Sequence, residues 1–149
     1  MKQILFLLLF TVAAFSCEKE YYTSIPNYPA YLELNLADIS ELNASLAYKT
    51  FTKPRLAIDK LGFGGILVIN GMGENSINLY AYDLACPVEA RRDIRVVPDN
   101  NNSNITATCM KCGAVFHIVT GTGAPKSGTK YYLKSYRVVD SGAQYTVTN

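Results

Sequence analysis

The chain lacks tryptophan and carries a single histidine, His117, among its 149 residues. One histidine leaves little basis for a Ser–His or Cys–His catalytic pair, and no catalytic residue is assigned. A phosphate-cradling loop is also missing. The glycines of GFGGILVINGMG (62–73) flank an apolar strand pattern instead of opening a helix, so the dinucleotide-binding context fails. Charge of one sign is absent too: 14 basic and 12 acidic side chains nearly cancel, which gives no support for a nucleic-acid partner. No apolar run reaches the roughly 20 residues that a membrane-spanning helix takes. There is no internal repeat, and the one low-complexity stretch is the Asn run at 100–102.

What the N-terminus does contain is a short apolar run, Ile4–Phe15, behind a basic Lys2. That length suits the h-region of a signal peptide. The run ends in Ala14-Phe15-Ser16-Cys17, with a small residue just before a cysteine. The arrangement resembles a bacterial lipobox, in which the cysteine thiol receives a diacylglycerol and becomes the new N-terminus after cleavage. Residues 1–16 are therefore read as a lipoprotein signal peptide, Cys17 as the lipid attachment site and 17–30 as a tether interrupted by Pro26 and Pro29. The mature chain is expected to be anchored to the membrane without passing through it. Glu18 after the lipid cysteine fits passage to the outer membrane of the cell envelope. Tyr21, Tyr22, Tyr28 and Tyr31 cluster near the tether; they suit half-buried strand positions, or a membrane interface or envelope partner.

Residues 31–149 make one domain. Leu32, Leu34 and Leu36 alternate with Glu33 and Asn35, the period-two pattern of a strand with one buried face. Further strand patterns fall at 46–51, 65–70, 77–83, 94–97, 105–108, 114–119, 131–139 and 143–148. Asn70-Gly71 between two apolar runs predicts a hairpin, and Asp140-Ser141-Gly142 predicts another turn. Helical character is confined to a short turn near Ile39–Leu42. The expected fold class is all-β, a small barrel or stacked sheets.

With Cys17 assigned to lipid, Cys86, Cys109 and Cys112 remain. Cys109 and Cys112 form a C-x-x-C followed by Gly113. A glycine there permits a tight turn whose N–H groups point at the sulfurs, as in metal knuckles. Cys86 stands in a separate loop before Pro87, so two hairpin tips can converge on one site.

The stretches LYAYDLACP (79–87), CMKCGAVFHIVTG (109–121), a Gly turn at Ser127–Thr129 and YYLKSYRV (131–138) resemble the Rieske iron–sulfur domain, from about Gly64 to Val139. The resemblance implies a small domain of stacked antiparallel sheets, with a 2Fe–2S cluster held between two adjacent loop tips. Carried over by position, Cys86 and Cys109 fall on the cysteine ligands of the first and second loops. Val88 stands in the place of the first-loop histidine and Cys112 in that of the second. The paired histidines on one iron are what raise the Rieske potential, so the ligand set is degenerate.

Glu89 and His117 are the candidates for a fourth ligand. Three thiolates and a carboxylate suit zinc better than an iron–sulfur cluster. The simpler readings are a solvated loop carboxylate beside Arg91 and Arg92 for Glu89, and a half-exposed strand residue for His117. In an oxidising compartment, close unligated thiols tend to pair as a disulfide. Val88 is expected to pack beneath its loop. Two functional classes stay open: an envelope electron carrier of iron–sulfur or other metal-binding type, and a metal-free Rieske-like module with a structural or interaction role.

Overall fold

The structure is a computed structural model that describes residues 21–72, 77–99, 105–142 and 144–149. The signal segment and Cys17 lie outside the described residues, as does the Asn run. The elements run β1 (Ala30–Leu34), α1 (Leu36–Leu42), β2 (Tyr48–Phe51), β3 (Lys60–Leu61), β4 (Ile66–Asn70), β5 (Leu79–Asp83), β6 (Val96–Pro98), β7 (Thr106–Cys109), β8 (Val115–His117), β9 (Pro125–Ser127), β10 (Ser135–Asp140) and β11 (Tyr145–Thr148). Among the described residues no helix is long and apolar enough to cross a membrane. The expected all-β class is what is found, with antiparallel sheets and one short helix.

Seven strands form one sheet in the order β2-β4-β5-β10-β11-β1-β3, and four form a second, β6-β7-β8-β9. The hairpin expected at Asn70-Gly71 is present, with Ile66 opposite Asp83 and Asn70 opposite Leu79. The turn at 140–142 joins β10 to β11, with Asp140 opposite Tyr145. In β1, Leu32 and Leu34 are buried, as the alternation predicts, but Leu36, read as the third member of the same buried face, lies beyond the strand as the first residue of α1 and is exposed.

β4 (ILVIN) is buried on both faces. Its period-two geometry sends successive side chains to opposite sides. Leu67 and Ile69 enter a core shared with Tyr82, Phe116, Ile118, Cys86 and Cys109. Ile66 and Val68 enter a second core with Leu32, Phe51, Ala81, Tyr136 and Val147. Phe51 of β2 and Leu32 of β1 come from far apart in the strand order yet share that second core, so the large sheet curls toward a barrel. The first core fills the space between the two sheets and carries the cysteines at one end.

Two expectations are corrected. α1 is a seven-residue helix, longer than the turn read at 39–42. Asn35 and Asp38 form a reciprocal capping box, each side chain accepting the other's backbone N–H at 2.9 Å, which satisfies two otherwise orphaned donors. The segment read as a tether is docked from Tyr21 onward: Ile25 is buried, and Tyr132 N–H donates to the Tyr22 carbonyl at 2.9 Å.

Candidate functional site

The first cysteine loop leaves β5 at Asp83. That carboxylate is fully buried and accepts four hydrogen bonds, from the N–H groups of Phe63 (2.6 Å), Gly64 (2.9 Å) and Ala85 (2.8 Å) and the hydroxyl of Tyr136 (2.7 Å). Four donors compensate the desolvation of a buried carboxylate. They also fix the exit direction of the chain three residues before Cys86. Burial and the Asp83 charge together push the Tyr136 hydroxyl well above its ordinary value. Beyond Asp83, Cys86 N–H donates to Ile94 at 2.9 Å and Ala90 N–H to Cys86 at 2.9 Å, closing the loop on itself.

The second loop joins β7 to β8. Cys109 N–H donates to Ala114 (2.9 Å) and Gly113 N–H to Cys109 (2.8 Å). Gly113 has φ +72°, although a Cβ there would meet nothing within 4 Å. Backbone conformation, and not crowding, is what asks for glycine at this position. At Gly128 (φ +81°) both demands apply, since a Cβ would lie 3.0 Å from the Cα of Ala114. The Gly turn at Ser127–Thr129 therefore approaches the cysteine tip as a covering turn.

The two tips meet. The sulfurs of Cys86, Cys109 and Cys112 all lie within 4.8 Å of one another, and Cys86 and Cys112 Sγ are 3.6 Å apart. Cys86 and Cys109 are buried and Cys112 is partly exposed; all three are free thiols. A separation of 3.6 Å exceeds the S–S bond of about 2.05 Å. It is close to the roughly 3.8 Å edge of a tetrahedron built on metal–sulfur bonds of about 2.3 Å. A salt bridge of 2.9 Å between Glu89 and Lys111 ties one loop to the other.

The sulfurs have different electrostatic surroundings. Burial pushes the Cys86 thiol up to about 12, with Cys109 and Cys112 adding to the rise and the Glu89 and Val88 N–H groups opposing it. Burial also acts to raise Cys109. There the N–H groups of Cys112 and Lys111, with hydrogen bonds from Cys86 and Cys112, more than offset it and bring Cys109 below its ordinary value. Backbone amides aimed at sulfur are how a knuckle stabilises thiolates.

Of the candidates for a fourth ligand, neither joins the group of close ligand atoms. Glu89 spends its carboxylate on Lys111, and His117 sits on β8 opposite Thr106. Val88 is 38% exposed, so it does not pack beneath the loop as expected. At the two positions that the Rieske resemblance would give to histidines stand an apolar, half-exposed valine and a thiol turned toward its fellow sulfurs. The trio is compatible with iron–sulfur ligation by thiolates, and its convergence on one point equally suits a single soft ion with a fourth position open.

Sequence reasoning missed the anchoring role of Asp83, whose signal was a carboxylate ending the otherwise apolar LYAYD strand. It also missed the docked strap, where Ser24 Oγ donates to the carbonyl of Pro87, beside Cys86.

No family model matches this chain, and no curated protein matches it. Among solved structures, it is similar to a chain in the complex of reduced oxygenase and oxidized ferredoxin in carbazole 1,9a-dioxygenase. The identity is 15% over 79% of this chain and 92% of that one, at a TM-score of 0.46. It is also similar to the Sphingomonas yanoikuyae B1 ferredoxin, at 16% identity over 73% of this chain and 93% of that one, with a TM-score of 0.43. These likenesses are distant, so what can be said of the site rests on its own cysteines: a three-thiol tip on an all-β domain.

Proposed function

We propose that this chain is a lipoprotein of the cell envelope, held at the outer membrane through Cys17. Its Rieske-like domain has exchanged the histidine half of the site for a thiol trio and serves as a structural or interaction module. The observation that carries this is the convergence of Cys86, Cys109 and Cys112 beside a first-loop position filled by Val88. Such a donor set lacks the paired imidazoles that give a Rieske centre its potential. In an oxidising compartment Cys86 and Cys112, the pair at 3.6 Å, close as a disulfide with small shifts of the loops, leaving Cys109 as the single thiol.

A second reading, an iron–sulfur or other metal-binding electron carrier, is supported by the backbone N–H groups at Cys86 and Cys109, which favour thiolate ligands. One experiment separates the two. The lipoprotein is purified without added metal or reductant, and its metal, acid-labile sulfide and free thiols are counted. Metal-free protein with one titratable thiol supports the module. Equimolar iron and sulfide, with an EPR signal on reduction, supports the carrier and overturns the module. Stoichiometric zinc assigns the trio to a single-ion site with its fourth position open and overturns the metal-free module.

A further inference from the structure

Resting on the lipid-anchor reading, we infer that the three-cysteine tip faces the lipid bilayer, pressed against the headgroups by the docked strap. The N-terminal strap leaves the domain at the cysteine end and not at the far end of the sheets. Ser24 bonds to Pro87 in the first cysteine loop. Tyr22 packs at a tilt on Tyr131 at 5.4 Å and Tyr21 meets Tyr132 edge-on at 5.1 Å, both partners lying in the segment that follows the covering turn. The first described residue, Tyr21, is four positions from Cys17. Four residues of fully extended chain reach at most about 14 Å, so a lipid on Cys17 holds this end of the domain at the membrane surface.

The tip has the surface such a position asks for. Met110 (80% exposed) and Val88 (38%) crown the two cysteine loops, and Tyr21 (57%) and Tyr22 (60%) flank them. Tyrosines suit an interface where one end is apolar and the other wet. The two cysteine loops and the covering turn, residues 86–93, 109–113 and 126–132, hold five basic and two acidic side chains. Both acids are paired, Glu89 with Lys111 and Asp93 with Arg91, so the unpaired charge is basic and matches anionic headgroups. The opposite end, where Leu36 is 86% exposed beside the β10–β11 turn, is held away from the membrane.

The chain contains no tryptophan, so a single introduced indole reports on its surroundings without background. Met110→Trp and Leu36→Trp lipoproteins are reconstituted into phosphatidylethanolamine vesicles containing phosphatidylglycerol and nitroxide-labelled lipid. Val88→Trp is a second tip position should Met110→Trp fold poorly. The tip indole should be blue-shifted and quenched by the lipid label at least about twofold more than the indole at 36, while acrylamide shows the reverse order. Vesicle flotation is measured on the same samples. Protein that floats with equal quenching at both ends overturns the orientation and leaves the lipoprotein reading standing. Protein that does not float overturns both.

Discussion

Val88 carries more of the functional argument than any other single residue, because the Rieske resemblance puts it where a first-loop histidine would be. Its partial exposure means that replacing it costs little, within about 0.5 kcal/mol for a surface position, so a failed cluster in a Val88 variant could not be blamed on unfolding. The Val88→His, Cys112→His double variant restores two cysteines and two histidines on paper. Expressed with iron supplied, it is expected to show no stable Rieske visible or EPR spectrum. The reason is that Cys112 is turned toward Cys86 and the surrounding amides are arranged for sulfur. A strong Rieske-type spectrum from the variant would show that the scaffold still accepts the cluster. The three cysteines and the convergence of their two loop tips were legible in the sequence, and the sulfurs do meet; what was not legible is how the loops are held there, because that depends on Asp83 and Gly128, whose roles exist only once the loops are packed.

Among the elements, α1 shows how a short helix can be held by charge. Asp38 is buried, caps its own helix, and accepts a salt bridge from Arg55 at 2.6 Å and one from Lys49 at 3.1 Å. Burial acts to raise its pKa, but Arg55, the Asn35 N–H and Lys49 outweigh it, and the net shift is downward. A depressed folded-state value means that the stabilisation is present above the ordinary carboxylate range and is lost as pH falls through the lower folded value. Chemical denaturation should therefore show stability declining below about pH 4, and the Asp38→Asn variant should be less stable at neutral pH with a flatter acid limb. An unchanged acid limb would remove Asp38 from this role. The Asn35-x-x-Asp38 signature was present in the sequence, so this helix could have been read in full. β3 and β9 were not legible, being two and three residues long with little apolar alternation. Conversely, the strand read from 131 begins only at Ser135, because Tyr132 and Leu133 give their N–H groups to Tyr22 and Gly123 instead of to a ladder.

At the scale of the whole molecule, the lipid reading predicts that Cys17→Ser releases the protein from membranes, since the acyl chains supply the affinity at about 0.8 kcal/mol per buried methylene. Fractionation that leaves the Cys17→Ser chain in the membrane pellet would refute the anchor. The all-β class was legible because alternation marks strands with one wet face. The curl of the large sheet was not, since it depends on which strands share a core. β4 belongs to both cores at once, Leu67 and Ile69 to one and Ile66 and Val68 to the other. Neither half can therefore melt while the other keeps its central strand, and the domain is expected to unfold as one cooperative unit. Denaturant curves followed by tyrosine fluorescence and by alkylation of Cys109, the buried thiol that the disulfide leaves over, should then superimpose, although Cys109 sits in only one of the two cores.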